Sequence, residues 1–183
     1  MKITSIAFLA CITAICLNAN AKSIAKLTSA ETLIENLPET LASAKKETDL
    51  TLLFPLILPK NDNVAEYFVY ADFSGASHGI NYRINIDSTK DCHGVHVCNL
   101  GYISASKNSE PDVFYDMKKK KLTKPVMLAQ NKKGYFTPGH AMGSYFPATI
   151  QWQNNGILYT ISWDTDQANL VKVANSAIEN ELK

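Results

Sequence analysis

The chain has 183 residues, of which 46% are hydrophobic and 19% are charged, and its formal net charge is +1. A chain of this size suits one domain with its own hydrophobic core. Because it is nearly neutral, it lacks the basic surface with which proteins bind nucleic acids, so we expect no nucleic-acid partner.

The first 21 residues have the pattern of a secretory signal peptide. Lys2 precedes an apolar run over residues 3–17, and Ala19-Asn20-Ala21 supplies the small residues of a cleavage site. No later stretch approaches the ~20 apolar residues of a membrane-spanning helix, so we expect no transmembrane segment in the mature chain. Cleavage after Ala21 would remove Cys11 and Cys16. It would leave one neutral domain, residues 22–183. We expect this domain to be periplasmic or secreted.

The next part of the chain has a helical pattern. Apolar residues recur at spacings of three and four over residues 23–46. Thr28 or Ser29 could cap a helix over residues 30–37, and Pro38 breaks or restarts it. Residues 50–59 are rich in leucine and proline. Since proline cannot donate a hydrogen bond to a sheet, we expect an edge strand or extended segment there.

Strands dominate the middle of the chain. Segments with β-branched and aromatic residues predict strands at residues 66–73, 80–87, 95–104, 126–129 and 134–137. In the second of these, apolar residues alternate with Asn81, Arg83, Asn85 and Asp87. This alternation predicts one buried face and one face in contact with water, as in an antiparallel sheet.

The clearest local signal is a hairpin over residues 149–161. Asn155-Gly156 suits a two-residue turn, which places Trp152 opposite Tyr159 and makes these four residues structural. The pattern then becomes helical from residue 167 to 182. The predicted fold is α+β, with a curved antiparallel β-sheet flanked by N-terminal and C-terminal helices.

Cys92 and Cys98 are the cysteines that remain after the leader, and they lie in the sequence DCHGVHVC. An exported chain favours their pairing, and five intervening residues around Gly94 can close the loop, so we predict a structural disulfide. Redox-active pairs have two residues between their cysteines near a helix start, and this spacing differs.

The same stretch allows an alternative, a metal-binding protein. His93 and His96 could bind an ion together with His78 and His140, provided that the backbone is turned there. Because zinc would also require Cys92 and Cys98 as thiolates, this interpretation competes with the disulfide. We expect exposed loop histidines and no cofactor.

A second alternative is a small serine hydrolase that uses Ser77. Gly75-Ala76-Ser77-His78-Gly79 matches the nucleophile elbow G-x-S-x-G, which requires a strand before it and a helix after it. Because strands are predicted on both sides here, a hairpin loop is favoured.

Two surface features suggest binding. The run Lys118-Lys119-Lys120-Lys121 could attract anionic lipid phosphates, although Glu110, Asp112 and Asp116 lie nearby and favour a solvated loop. Five aromatic residues on adjoining strands could form an apolar groove, unless they belong to the core. They are Tyr67, Phe68, Tyr70, Phe73 and Tyr82.

Several short motifs together resemble an uncharacterised family of exported bacterial proteins. The motifs are Cys92-x-Gly94-x-x-x-Cys98-x-x-Gly101, Gly134-Tyr135-Phe136, Ile150-x-Trp152, Tyr159-x-Ile161 and Ala174-Asn175-Ser176-Ala177. The resemblance implies export and a Trp-hairpin-helix ending, but no activity. We therefore expect a non-enzymatic envelope or periplasmic protein that binds an envelope ligand or protein partner or has a structural role.

Overall fold

The structure, a computed structural model, describes residues 26–73, 81–139 and 146–182. The expected leader lies outside these ranges, as do Ser77, His78 and His140. The elements are, in chain order, β1 (Leu27–Ser29), α1 (Ala30–Leu33), α2 (Leu37–Glu47), β2 (Leu52–Leu53), β3 (Ile57–Pro59), β4 (Phe68–Asp72), β5 (Tyr82–Asp87), β6 (Asn99–Lys107), β7 (Lys124–Met127), β8 (Lys133–Thr137), β9 (Ala148–Asn154), β10 (Ile157–Trp163), α3 (Gln167–Glu179) and β11 (Glu181–Leu182).

Strands β4 to β10 form one antiparallel sheet in the order β4-β5-β6-β10-β9-β8-β7. Helix α2 packs against β4, and α3 packs against β9 and β10. The predicted α+β class, an antiparallel sheet with helices from both ends of the chain, is therefore confirmed. Among the helices in the described ranges, none has the length and apolar character needed to cross a membrane.

The N-terminal helical pattern forms two helices instead of one. Ser29 occupies the N-cap position of α1, but its side chain accepts no capping hydrogen bond. After one turn the chain extends, and Ile34 forms a bridge with Tyr67. Pro38 lies in the first turn of α2, where its missing N–H costs no helical hydrogen bond, so the proline restarts the helix.

The leucine- and proline-rich segment is extended, as predicted. It contains β2 and β3, which pair with β11 and β1 in two small sheets outside the main one. The Tyr82 hydroxyl accepts a hydrogen bond from Leu53 N (3.2 Å), and the Tyr159 hydroxyl donates one to Thr51 O (3.2 Å). Burial raises the pKa of Tyr82, which keeps its hydroxyl protonated. Two tyrosines of the sheet thus hold this segment against the core.

An apolar row crosses the sheet on the side that the helices cover. Its members are aligned by the strand register and are Ile84, Ile103, Ile161, Ile150 and Phe136. Trp152 pairs with Tyr159, and their rings stack with centroids 5.6 Å apart. The predicted hairpin register is confirmed. Leu170, Val173 and Ala177 of α3 are buried in the same core.

Several element boundaries differ from the prediction. Residues 27–29, expected to be helical, form β1, and the strand expected over residues 126–129 is β7, which is shifted to Lys124–Met127. The strand expected over residues 95–104 is β6, which begins at Asn99, because residues 92–98 are turned by the disulfide. The helix expected to reach residue 182 ends at Glu179. Beyond it, residues 181 and 182 form β11, which pairs with β2 in one of the two small sheets and not with the main sheet.

The turn of the β9–β10 hairpin requires positive φ angles, and a substitution at Gly156 tests this requirement. Asn155 and Gly156 have φ values of 51° and 76°, and a Cβ at Gly156 would meet nothing within 4 Å. Gly156→Val should therefore lower the free energy of unfolding by about 1–2 kcal/mol through left-handed backbone strain alone. Urea denaturation followed by circular dichroism measures the change. Asn155→Gly is the control, because glycine adopts positive φ freely. Equal stability of the two variants would contradict this turn.

Candidate functional site

The face of the sheet opposite the apolar core carries polar side chains. Alternate residues of a strand point to opposite faces, so the strand register places these side chains in rows. The first row is Arg83, Ser104, Thr160 and Gln151, and the second is Asn85, Tyr102, Ser162 and Thr149. Both rows cross β5, β6, β10 and β9.

Part of this polar face is buried, so the prediction of a face in contact with water on β5 is wrong at Asn85 and Asp87, whereas Asn81 and Arg83 are partly exposed. Asn85 is 6% exposed, Asp87 is 2% exposed and Ser162 is fully buried. Hydrogen-bonding groups that are buried on a sheet face need partners other than bulk water. Two segments outside the sheet cover the face and provide some of them.

The first segment is residues 109–123, here called the covering arm. Gln151 of β9 donates from Nε2 to Asp112 Oδ2 (2.9 Å) and accepts at Oε1 from Asp112 N (2.8 Å). The hydroxyls of Thr123 and Thr137 lie 2.9 Å apart, which joins the end of the arm to β8. The arm is thus held over the sheet by polar contacts, whereas the opposite face is packed by helices.

The second segment is the disulfide ring, residues 92–98. Cys92 and Cys98 are bonded, with their Cα atoms 5.8 Å apart, so the predicted disulfide is confirmed. Asp87 fixes the ring on the sheet, because its carboxylate accepts from Gly94 N (3.0 Å) and from Asn99 Nδ2 (2.8 Å).

At two positions of the motif described above, the structure explains why the residue is glycine. Gly94 has φ +77°, and a Cβ there would lie 2.8 Å from Asn85 Cγ. A Cβ at Gly101 would lie 2.4 Å from Ser162 O and 2.4 Å from Trp163 Cε3. The spacing Cys92-x-Gly94-x-x-x-Cys98-x-x-Gly101 therefore describes a ring closed by a disulfide, followed by a strand that approaches its neighbour closely.

The sheet, the covering arm and the disulfide ring line a cavity of about 820 Å³, which is within the range of small-molecule sites. Its charged and ionisable lining residues are Arg83, His96, Asp112 and Asp164. Its aromatic residues are Tyr102, Phe114 and Phe146. The cavity is an open cleft that offers hydrogen-bond donors, acceptors and aromatic surface.

Two buried polar atoms of the lining residues stand out. Ser162 Oγ and Arg83 Nε have no hydrogen-bond partner among the residues that the structure describes. The Arg83 guanidinium carbon lies 4.4 Å from the centre of the Tyr102 ring, so this ring supports the cation. Leaving such atoms buried and unpaired costs on the order of 1–3 kcal/mol each. Both residues line the cavity, but the two atoms themselves are covered, so a ligand in the cavity would reach them only after a local shift of the neighbouring side chains.

The histidines of the metal hypothesis are only partly described. His96 lines the cavity, whereas His93 lines a separate depression and packs edge-on against Tyr70, with ring centroids 4.9 Å apart. Within residues 26–73, 81–139 and 146–182, no group of three or more His, Cys, Asp or Glu side chains could hold a metal ion. Since Cys92 and Cys98 are bonded to each other, neither is a thiolate ligand.

The five aromatic residues considered for an apolar groove do not share one exposed face, and Phe68 and Phe73 are partly buried. Tyr67 and Tyr82 are fully buried in the core, and Tyr70 is the member of the set that is clearly exposed. Sequence reasoning instead missed Arg83, Asn85, Gln151 and Ser162. These polar residues occur at alternate positions within strands. Such a pattern predicts a solvent-exposed face and gives no indication that other segments cover it.

Comparison of the chain with protein-family models, with curated proteins and with solved structures finds no match. The interpretation of the cavity therefore depends on its own geometry.

Proposed function

We propose that this protein is an exported binding protein of the bacterial envelope whose cavity holds a small polar ligand. The leader pattern and the disulfide support export to an oxidising compartment. The observation that carries the binding function is the pair of buried, unpaired atoms, Ser162 Oγ and Arg83 Nε, on residues that line one cavity.

The ligand class follows from the lining. Arg83 presents a planar set of donors, which suits a carboxylate or another acceptor group on the ligand. Tyr102 lies beside the Arg83 guanidinium, and Phe114 and Phe146 add rings that can contact a less polar part. We therefore propose a small molecule that combines an acceptor group with a flat or apolar portion.

Binding is better supported than nucleophilic catalysis. A catalytic serine requires a base within hydrogen-bonding reach of its hydroxyl. Ser162 Oγ has no hydrogen-bond partner among the described residues, so the geometry provides an unpaired hydroxyl without a base beside it. Its proposed role is to exchange a hydrogen bond with the ligand.

The substitution Ser162→Ala is expected to weaken ligand binding without lowering the stability of the protein. Removal of a buried hydroxyl that has no partner should leave the free energy of unfolding unchanged or raise it by up to about 1 kcal/mol. The same change should weaken ligand binding by about tenfold, which corresponds to one hydrogen bond. Thermal shift and calorimetry with organic acids, amino acids, short peptides and nucleosides measure both effects.

Ser176→Ala is the matched control for this experiment. Ser176 is also buried, but its hydroxyl donates to Val173 O (2.8 Å) within α3, on the other side of the sheet. Its loss should leave ligand affinity unchanged. The proposal is wrong if Ser162→Ala lowers the free energy of unfolding by more than about 1 kcal/mol, or if a ligand of the wild-type protein binds Ser162→Ala and Arg83→Met with unchanged affinity.

A further inference from the structure

The outer end of the covering arm is a small hairpin. Leu122 N donates to Phe114 O (2.8 Å), and Asp116 N donates to Lys120 O (2.9 Å). Tyr115 and Lys121 form a bridge between the two sides of the hairpin. We call residues 115–121 the basic tip, because four of these residues are lysines.

The backbone of the basic tip is fixed from inside by Asp116. Its carboxylate oxygen Oδ1 accepts from Lys118 N (2.9 Å) and from Lys120 N (2.8 Å). Lys119 N also donates to Asp116 O (2.9 Å). The aspartate therefore organises the turn, while the lysine side chains of the tip are exposed.

The acidic residues near the lysine run do not all lie at the tip. Asp112 is at the other end of the arm, where its carboxylate accepts from Gln151 and lines the cavity. This leaves one aspartate and four lysines within residues 115–121. In the sequence, acidic residues lie close to the lysines, which predicts a solvated loop with little net charge. The fold instead concentrates positive charge at one end of the arm.

The same end also exposes apolar surface. Met117 is fully exposed, and Tyr115 and Val113 are about half exposed. Methionine and tyrosine beside lysines form the combination that contacts the headgroup region of a membrane, because the cations meet lipid phosphates and the apolar side chains enter the interface. The fully exposed Met117 directly precedes the lysine run, so apolar surface and positive charge occur together at the tip.

We propose that the basic tip binds an anionic lipid surface. The domain without its leader is expected to have no net charge, so attraction to anionic lipid would come from this local cluster and not from the protein as a whole. This proposal does not depend on the cavity having a ligand. Since Phe114 and Asp112 of the arm line the cavity, binding through the tip would hold the cavity close to the lipid surface.

Sedimentation with vesicles tests the proposal. The protein is purified after export from a bacterial host, and its N-terminus is determined by mass spectrometry, so that wild type and variants are compared in one processed form. Wild type should bind phosphatidylglycerol-containing vesicles at least about tenfold more strongly than phosphatidylcholine vesicles, and high salt should weaken this binding. Replacement of Lys118, Lys119, Lys120 and Lys121 by glutamine should remove this preference.

Matched variants show whether vesicle binding depends on the position of the lysines or on the net charge of the protein. Lys26, Lys46, Lys60 and Lys172 are exposed lysines elsewhere, and their joint replacement by glutamine changes the net charge equally but should leave vesicle binding unchanged. Met117→Ser should weaken binding about threefold or more, whereas Met127→Ser, at another exposed methionine, should not. Circular dichroism checks that each variant is folded.

Three results would overturn the proposal. Equal loss of binding in the two lysine variants would show a net-charge effect. Equal binding to the two kinds of vesicle would remove the role of anionic lipid. Binding to polyglutamate that requires the tip, without binding to vesicles, would identify an acidic polypeptide as the partner instead.

Discussion

Trp152→Ala is expected to lower the free energy of unfolding by about 3–5 kcal/mol, the usual cost of truncating a buried aromatic side chain. Trp152 is completely buried and stacks on Tyr159, with ring centroids 5.6 Å apart. The substitution removes this contact and leaves a cavity between the sheet and its helices. Because a domain of this size has a stability of roughly 5–15 kcal/mol, the loss is large enough to unfold a marginal protein at physiological temperature.

Urea denaturation followed by far-ultraviolet circular dichroism measures this change without depending on tryptophan fluorescence. Tyr115→Ala is the control, since it also truncates an aromatic residue, but one that is 54% exposed. Its cost should stay within about 0.5 kcal/mol. An unchanged melting temperature in Trp152→Ala would contradict the packing of the hairpin described above.

Gly101→Ala is expected to lower the free energy of unfolding by about 3 kcal/mol through overpacking. The new methyl group would lie 2.4 Å from Ser162 O, and a backbone oxygen cannot turn aside as a flexible side chain can. It would also meet the Trp163 ring at 2.4 Å, so β6 and β10 would have to separate at this point.

Thermal and chemical denaturation measure the effect of Gly101→Ala. Ser106→Ala, at a partly exposed position further along β6, is the control and should change stability by less than about 1 kcal/mol. If Gly101→Ala melts at the wild-type temperature, the close approach of the two strands at Gly101 is wrong.

The C-terminal hairpin could be predicted from sequence because its signals are local. Asn155-Gly156 sets the turn, and the apolar alternation on both sides sets the register that pairs Trp152 with Tyr159. The last helix was also recognisable, because its apolar residues recur with helical spacing. The structure adds an N-cap that the prediction did not include, since Asp166 accepts from Asn169 N (2.8 Å). Neighbouring residues specify both features.

The cavity could not be predicted because its walls come from distant parts of the chain. The alternation in β5 indicates that its two faces differ, but it does not show what covers the polar one. That depends on contacts such as Gln151 with Asp112, which lie 39 residues apart. The early start predicted for β6 has a similar cause. Val95 and Val97 have strand-forming side chains, yet the disulfide ring turns them outward, and Val97 is 90% exposed.

The strand order also has a consequence for the route by which the chain folds. Strands β4, β5 and β6 are neighbours in sequence and in space, and so are β7, β8, β9 and β10. Each group can form from successive hairpins, which close within microseconds. The two groups meet where β6 pairs with β10, and this pairing must close the long loop that contains the covering arm. We therefore expect the β6–β10 seam to limit the folding rate, so that changes along it slow folding. Changes in the basic tip should leave the folding rate unaltered, because the tip takes no part in the β6–β10 pairing.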